Sequence, residues 1–373
     1  MDKKRVIQFQ AFESIYNDRL QNELNKDWRF QEEFENIRII CDAEKEEYEK
    51  KRGIQRYELL GKWRKLCYLI LFNKYLCHKY RNLKKAVVNI QFIEYRFLFL
   101  LPFISCISNK LILSFWGSDL LRQEDKILRR MRHLFNKADL ITVETDEMEK
   151  IFLNRTNKKY KAKIQKVRFG LTSIKDIDNL DKQSIIDFKI THGIDLEKKV
   201  VAIGYNRRKE HQHIKAIQSI IEANINPRDI FIIIPWTYGP DDIEYRGEIE
   251  SLLQDRYDYC FISERLTDCE VAALRVSTDI MIHVQTTDSL SASMLETLYA
   301  ENEVIAGDWL PYGELLALGV TMRMAKKVED CGRQVKLYLN MPMDEREKKK
   351  NKELVYKYSS WDTNILKWID LYK

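Results

Sequence analysis

Two short segments of the sequence carry residue types that bind phosphate. The segment Gly204 to His213 (GYNRRKEHQH) follows a predicted buried strand and contains three adjacent cations, Arg207, Arg208 and Lys209. The other opens a predicted helix at Ser291, where free backbone N–H groups and the positive end of the helix dipole favour an anion. The hydroxyls of Ser291 and Ser293 add donors. These groups predict a site for a diphosphate. A solvated charge cluster is the alternative for the basic turn.

Two carboxylates flank this predicted helix start. Asp288 and Glu296 lie eight residues apart in the stretch Val284 to Gly307 (VQTTDSLSASMLETLYAENEVIAG). Ionised carboxylates accept strong hydrogen bonds, including those from hydroxyl groups. In the alternative interpretation, Asp288 or Ser289 only caps the helix, and Glu296 is a solvated residue on its surface.

This stretch resembles the donor-binding motif of retaining GT-B glycosyltransferases, in which seven residues separate two glutamates. Asp288 matches the first acidic position, Ser289 to Ser291 the following loop, and Glu296 the second acid. The sequence departs from the family at two positions. The first acid is Asp rather than Glu, and Glu301 stands where a glycine usually precedes the next strand, so the hexose contacts are expected to differ.

The resemblance implies a role for each matched residue. Glu296 would bind the ribose of a nucleotide sugar, and Asp288 would reach the hexose hydroxyls. The donor diphosphate would lie on the helix start, with Ser289, Ser291 and Ser293, and on the basic turn that contains Gly204, Arg207, Arg208 and Lys209. Asp288, Asp119 and Arg208 are the candidate catalytic residues.

The N-terminal half contributes the segment Phe115 to Arg122 (FWGSDLLR). It resembles a His-Gly-x-Asp turn of the same superfamily, with Trp116 in place of the histidine and Gly117 and Asp119 retained. Asp119 is therefore a candidate for acceptor contact or, in an inverting enzyme, for the general base, and a helix N-cap is the alternative. The turn is also similar to that of bacterial fucosamine-type transferases, which favours inversion, whereas Asp288 and Glu296 favour retention.

Histidines give little support for a metal site. His211 and His213 form an H-x-H pair without a third histidine or a nearby cysteine, so zinc is not expected. One of them could instead contact phosphate. His283, which lies in a predicted strand, is interpreted as a core histidine.

The elements that must position these residues alternate between strands and helices in two series. The predicted strands are Val6–Gln10, Ile37–Cys41, Ala86–Phe92, Leu111–Trp116, Leu140–Glu144, Lys166–Gly170, Val200–Gly204, Ile230–Pro235, Asp279–Val284 and Val304–Ala306. The predicted helices are Tyr57–Arg81, Phe97–Ile107, Met148–Asn154, His213–Ala223, Tyr245–Leu253, Ser291–Tyr299 and Trp361–Tyr372. This pattern predicts an α/β protein with doubly wound parallel sheets, whose ligands bind where strands end, after Gly204, Pro235 and Val284.

Length predicts more than one domain, because 373 residues exceed the ~250–300 at which one core stops growing. We expect an acceptor-binding domain at 1–180, a nucleotide-sugar-binding domain at 195–350 and a C-terminal helix at 355–373 that crosses back to the first. The polar segment 171–198 is the predicted linker. The resemblance implies the GT-B architecture, in which two Rossmann-like domains face a central cleft.

Composition and charge favour a cytoplasmic globular protein. The chain is 45% hydrophobic and 32% charged, its seven cysteines are dispersed, and no export signal is evident at the start. The apolar run 97–107 is too short to span a bilayer and is interpreted as a buried helix, and a helix in the membrane interface is the alternative. Basic segments at 50–85 and 121–137 suit a membrane face or a phosphate-bearing acceptor, and a solvated helix face is the alternative. Peripheral contact with the inner face of the membrane is therefore an expectation, whereas nucleic acid is not an expected partner.

The resemblance implies a metal-independent hexosyltransferase in bacterial polysaccharide or glycoconjugate synthesis. It would use a UDP- or dTDP-sugar and no other cofactor, and its acceptor would be a glycan, a lipid-linked sugar or a protein. A retaining route is favoured, because the leaving diphosphate can take the acceptor's proton and no nucleophile is then needed. The alternatives are a sugar-nucleotide epimerase of the same fold and a non-catalytic nucleotide-sugar-binding partner.

Overall fold

The computed structural model describes residues 3–52, 62–83 and 85–373. Chain contacts divide the protein into two units. One contains the described residues up to Phe169 together with Asn364–Lys373, and the other contains Gly170–Thr363. Part of the predicted helix Tyr57–Arg81, residues 57–61, lies outside the described residues.

The first unit is a parallel sheet with helices between its strands. Its strands are β1 (Lys4–Gln10), β2 (Phe34–Ile40), β3 (Ala86–Gln91), β4 (Ser108–Ser114), β5 (Leu140–Val143) and β6 (Ile164–Lys166). Its helices up to Phe169 are α1 (Ile15–Lys26), α2 (Trp28–Glu33), α3 (Cys41–Arg52), α4 (Lys62–Lys79), α5 (Leu101–Ile107), α6 (Ser118–Leu121), α7 (Asp125–Arg130), α8 (Arg132–Lys137) and α9 (Asp146–Arg155). The strand order is β2-β1-β3-β4-β5-β6. The chain changes direction across the sheet beside β1, so the carboxyl ends of β1 and β3 form a topological switch point.

The second unit repeats this architecture. Its strands are β7 (Lys199–Ile203), β8 (Ile230–Pro235), β9 (Asp258–Ile262), β10 (Ile280–His283), β11 (Glu303–Gly307) and β12 (Arg323–Ala325). Its helices are α10 (Ser173–Asn179), α11 (Lys182–Thr191), α12 (His213–Glu222), α13 (Ile243–Leu253), α14 (Asp268–Ser277), α15 (Ala292–Tyr299), α16 (Gly313–Ala317), α17 (Cys331–Asn340) and α18 (Glu345–Ser359). The strand order β12-β11-β10-β7-β8-β9 places the switch point between β7 and β10.

The predicted α/β class with two doubly wound parallel sheets is confirmed. Strand interiors such as Val200–Ile203 and Ile230–Pro235 are buried throughout, as expected for parallel strands covered by helices on both faces. Strands β9 and β12 were not predicted from the sequence, and β6 begins and ends earlier than its predicted range. Two helices, α10 and α11, occupy the segment in which the sequence predicts a linker.

The C-terminal helix α19 (Trp361–Tyr372) ends in the core of the first unit. Trp368 and Tyr372 are buried, and the Tyr372 hydroxyl accepts hydrogen bonds from Gln8 Nε2 (2.8 Å) and Asn89 Nδ2 (3.1 Å). These two donors lie on the central strands β1 and β3, so the end of the chain is part of the first unit's folded core.

The second unit begins and ends at neighbouring points. Leu171 N donates to Ser359 O at 2.7 Å, and Leu171 and Ser360 form a parallel bridge. A Cβ atom on Gly170 would lie 2.4 Å from Cγ of Trp361, so only glycine fits this close approach. The segment Gly170–Thr363 is thus an insertion between two parts of the first unit.

No helix among the described residues is both long enough and apolar enough to cross a membrane.

Candidate functional site

Two loops meet at the carboxyl edge of the second sheet. The β7 loop (residues 204–212) and the β10 loop (residues 284–291) follow neighbouring strands. Gln212 Nε2 donates to Val284 O at 2.6 Å, and Thr286 N donates to Glu210 O at 2.9 Å. The structure thus brings together the basic turn and the loop before the predicted helix start.

Gly204 allows the β7 loop to turn tightly. Its φ is 67°, and a Cβ atom there would lie 2.9 Å from Nε2 of His213 and 3.0 Å from Cγ of His211. Both histidines are buried, and burial lowers the pKa of His213 to about 4, so that this ring is neutral. Within the described residues, no group of three potential metal ligands is present. The rings of His211 and His213 therefore pack closely against the backbone of the β7 loop at Gly204.

The three cations of the basic turn have different surroundings. Arg207 donates to Gly239 O at 2.7 Å and pairs with Asp241 at 3.2 Å, and Lys209 pairs with Asp242 at 2.7 Å. The Arg208 backbone N–H is held by the Asn206 side chain at 2.9 Å, but its half-buried guanidinium pairs with no acid that the structure describes. Arg208 therefore has the charge that is least neutralised by the protein itself.

The loop after β8 brings Tyr238 beside this turn. Arg207 N donates to Tyr238 O at 3.2 Å. Burial raises the pKa of Tyr238, a hydrogen bond with Asn206 and the charges of Arg208 and Arg275 oppose that rise, and Asp288 reinforces it. Side chains of the β7 loop, α14 and the β10 loop therefore influence the pKa of this one hydroxyl.

The predicted helix start is present. Ser291 is the N-cap of α15, and its hydroxyl accepts from Met294 N at 3.2 Å. Asp288 and Ser289 precede the cap, so the alternative in which either one caps the helix is wrong. The hydroxyl of Ser293, in the first turn, accepts from Arg275 at 2.8 Å.

Glu296 is a buried residue of α15. It is 7% exposed, and its Oε2 atom accepts from Arg275 Nε at 2.9 Å. The interpretation of Glu296 as a solvated surface residue is therefore wrong. Arg275 bonds Glu296 and Ser293 together, and this fixes both side chains on the face of α15 that packs against α14.

Asp288 belongs to a three-residue cluster. Its Oδ2 atom lies 3.2 Å from His283 Nε2 and accepts a hydrogen bond from the Tyr312 hydroxyl, which lies 2.6 Å from the same histidine nitrogen. Burial opposes the ionisation of Asp288, but His283 and Tyr312 outweigh it and leave the pKa of Asp288 below its usual value. Burial and the Asp288 charge raise the pKa of Tyr312 well above its usual value, so its hydroxyl remains a donor. The carboxylate is thus held ionised in one orientation.

Sequence reasoning did not find three of these residues: Arg275, Tyr238 and Tyr312. Arg275 lies in a helix of mostly apolar residues, where a buried charge would be a signal for a partner. Tyr238 and Tyr312 lie in loops whose positions depend on the complete sheet. His283 was interpreted as a core histidine and is in fact fully buried, but both of its neighbours in the cluster are polar.

The residue Glu301, where the sequence departs from the family pattern, keeps a conformation that suits glycine. Its φ is 62°, in the left-handed region. Its carboxylate lies 3.5 Å from Lys352 Nζ. The turn before β11 is thus retained without the glycine.

In the first unit, Asp119 holds the turn that follows β4. It is 3% exposed, and its carboxylate accepts from the backbone N–H groups of Ile93 (2.8 Å), Trp116 (2.9 Å) and Gly117 (3.0 Å). Gly117 is the N-cap of α6, with a φ of 127°, so the alternative role of Asp119 as N-cap is wrong. Burial raises the pKa of Asp119 to about 7, although the three donors favour the carboxylate. This environment indicates a structural role in joining the loops after β3 and β4.

Aromatic side chains surround Trp116 at the carboxyl edge of the first sheet. The rings of Tyr16, Phe92 and Phe169 lie 5.7, 5.5 and 5.3 Å from that of Trp116, between centroids. Trp116 Nε1 donates to Gln91 Oε1 at 2.9 Å, which fixes the indole. Tyr16 is exposed. Sequence reasoning found Trp116 but not its three aromatic neighbours, since they come from three other segments of the chain.

Comparison with known proteins gives a fold rather than a family. No family model matches the sequence, and no curated protein is similar to it. A glycosyltransferase from Rickettsia africae has a TM-score of 0.76 at 13% identity, with 100% of this chain and 98% of that chain covered. HepE from Anabaena, solved with UDP and glucose, has a TM-score of 0.71 at 13% identity, with 99% of each chain covered.

A third similar structure is the sucrose-phosphate synthase of Thermosynechococcus elongatus, with a TM-score of 0.68 at 13% identity, covering 99% of this chain and 98% of that chain. The likeness extends over the whole chain in each case. The protein therefore has the GT-B fold of glycosyltransferases.

Proposed function

We propose that this protein transfers a hexose-type sugar from a nucleotide diphosphate donor to an acceptor. The observation that supports it best is the convergence of polar groups at the switch point of the second sheet. Arg208, the Arg275–Glu296 pair and the Asp288 cluster lie on elements that meet where β7 and β10 end. Ligands of open α/β sheets bind at such points.

The diphosphate would lie between the start of α15 and the β7 loop. The helix start offers backbone N–H donors and the positive end of its dipole, and Arg208 offers an unneutralised guanidinium. Arg207 and Lys209 already pair with Asp241 and Asp242, so their contribution to phosphate binding would be smaller.

The ribose and the hexose would be bound by the two carboxylates. Arg275 holds Glu296 in a fixed orientation, which suits a group that must accept hydrogen bonds from ribose hydroxyls. Tyr312 and His283 fix Asp288 in the same way for the hexose. Both carboxylates are thus pre-organised acceptors.

A retaining route fits the groups present in the second unit. The bond between the anomeric carbon and the diphosphate oxygen breaks, and the acceptor oxygen bonds to that carbon from the same face. The acceptor's proton passes to the departing diphosphate, whose charge Arg208 and the helix start stabilise. This route needs no protein nucleophile. It is also the route of the retaining family that the stretch around Asp288 and Glu296 resembles.

The acceptor would contact the aromatic group around Trp116. Tyr16 and Trp116 offer flat apolar surface, which suits the ring faces of a glycan or a lipid-linked sugar. Asp119, bound by three backbone donors, would shape this surface from below, so we assign it no direct contact with the acceptor. We further propose a role in bacterial polysaccharide or glycoconjugate synthesis, in which a UDP- or dTDP-sugar is the donor.

The test starts with donor binding. A thermal-shift screen across UDP-, dTDP- and GDP-sugars should show stabilisation by one base class, because a ligand that binds only the folded state raises its stability. The purified chain is then incubated with that donor, with and without candidate acceptors. Product formed only with an acceptor supports transfer. A changed sugar with donor alone would indicate the epimerase, and binding without turnover would indicate the non-catalytic partner.

A further inference from the structure

The helix α4 is apolar on both of its faces. Tyr68, Phe72 and Leu76 are buried in the first unit's core. On the opposite face Trp63 is 81% exposed, and Leu66 and Ile70 are each 49% exposed. Exposed apolar patches of this kind mark sites at which a protein contacts another protein or a membrane. The outer face of α4 is therefore an apolar surface that needs a partner.

A cavity beside α4 continues this surface. It has a volume of about 390 Å³ and lies between the end of α3 and the start of α4. Tyr48 and Arg52 line it from α3, and Trp63, Arg64 and Leu71 line it from α4. The walls are mainly apolar, and each helix contributes one arginine.

The charges of α4 have one sign, because its basic residues are accompanied by no acidic residue in that helix: Lys62, Arg64, Lys65, Lys74 and Lys79. Two acids of the neighbouring α3 are already paired with Lys79, which lies 2.7 Å from Glu44 and 2.6 Å from Glu47. The side chains of Arg64 and Lys74 form no ion pair with any residue in the described part of the chain, so they remain available to an anion.

We propose that the outer face of α4, with the adjoining cavity, docks this protein on an anionic phospholipid bilayer. Exposed Trp and Leu side chains suit the interface between headgroups and acyl chains, where an amphipathic surface lies in the membrane plane. The unpaired cations among them complement the negative charge of phosphate headgroups. This proposal does not depend on the proposed transferase activity.

Flotation with lipid vesicles tests the proposal. The full chain is mixed with vesicles of phosphatidylcholine alone or with phosphatidylglycerol added. We expect binding at least tenfold tighter to the anionic vesicles, falling as salt is raised. Trp63→Ala/Ile70→Ser should lower binding at least tenfold, and Arg64→Gln/Lys74→Gln should remove the preference for the anionic lipid.

Trp28→Ala is the matched control. Trp28 is 64% exposed, but it lies on α2, whose Phe30 packs on Tyr372 of α19. Its loss should leave vesicle binding unchanged. Each variant must also keep the wild-type melting temperature, which separates docking from folding.

Brominated phosphatidylglycerol gives a readout that a structural defect would not mimic. Bromines in the acyl chains should quench tryptophan fluorescence in the wild type, and Trp63→Phe should lose most of that quenching while still binding the vesicles. Three results would overturn the proposal: equal binding to neutral and anionic vesicles, equal loss in Trp28→Ala, or a dimer in solution that Trp63→Ala dissociates while no vesicle binding is seen.

Discussion

At the scale of single residues, the proposed donor site is a set of charges that differ in how far the protein neutralises them. Arg207 and Lys209 have acidic partners, Glu296 and Arg275 neutralise each other, and the Asp288 charge is shared with His283 and Tyr312. Arg208 differs from them, because no described acid pairs with it. These differences decide which substitutions should affect binding and which should affect folding.

Arg208→Ala should weaken nucleotide binding without affecting stability. Losing one charge-assisted contact should cost about 1.5–3 kcal/mol, or roughly ten- to a hundredfold in affinity for the nucleoside diphosphate. Titration calorimetry with UDP measures it, and Lys215→Ala, an exposed cation on α12, is the control. If Arg208→Ala binds UDP like the wild type, the phosphates do not lie on the β7 loop.

Glu296→Gln should affect both folding and binding. Removing one partner of a buried ion pair leaves Arg275 charged and unpaired, which should lower the free energy of unfolding by about 3–5 kcal/mol. The double variant Arg275→Met/Glu296→Leu should recover most of that stability, because apolar residues can replace a buried pair. Urea unfolding measures this effect.

Affinity for UDP separates the two roles of Glu296. If Glu296 binds ribose, the stable double variant should still bind UDP at least tenfold more weakly than the wild type, whereas Asp288→Asn should bind UDP normally and the complete nucleotide sugar poorly. If the double variant binds UDP as tightly as the wild type does, Glu296 has only a structural role.

At the scale of elements, the strands that the sequence predicts best are those that are apolar throughout. Ile230–Pro235 was predicted with its observed ends, because an unbroken apolar run bounded by polar residues has one reasonable interpretation. Strand β9 (DYCFI) has no such run, and β12 is only three residues long, so both were missed.

The candidate site was predictable only in part, for a related reason. The β7 and β10 loops follow strongly patterned strands, so their residues could be placed at the sheet edge from the sequence. Arg275, Tyr238 and Tyr312 reach the same place through the packing of α14 and of two loops, and no local pattern encodes that packing. Likewise, the three backbone donors around Asp119 come from two loops that only the folded sheet brings together.

The turn that Asp119 holds should respond to pH. Its pKa of about 7 in the folded protein exceeds the ~3.9 of an unfolded Asp, so the folded state binds more protons between these values. This group's contribution to stability is therefore greatest below pH 4 and is lost as the pH rises toward 7.

Asp119→Asn should remove this pH dependence and cost about 1–3 kcal/mol, because one backbone N–H group loses its acceptor. Urea unfolding from pH 5 to pH 8 measures both effects against Asp187→Asn, which removes an exposed carboxylate. If the free energy of unfolding of Asp119→Asn depends on pH as steeply as that of the wild type, another group titrates in this range.

At the scale of the whole molecule, the proposed chemistry should proceed without a divalent cation. Helix α15 and Arg208 would stabilise the departing diphosphate, and the adjacent acids Asp241 and Asp242 pair with Arg207 and Lys209. Turnover in EDTA should therefore match turnover in buffer. A complete loss that Mg²⁺ or Mn²⁺ restores would instead make Asp241 and Asp242 the first candidates for ligands.

The position of Trp368 and Tyr372 makes the core of the first unit depend on residues that follow the second unit in the sequence. Both side chains fill that core, but they are synthesised after the whole of Gly170–Thr363. The ends of this inserted segment meet each other, so its fold does not depend on residues 364–373. We therefore expect the first unit to be the later of the two to reach its native state, because Gln8 and Asn89 lack their partner hydroxyl until Tyr372 has left the ribosome.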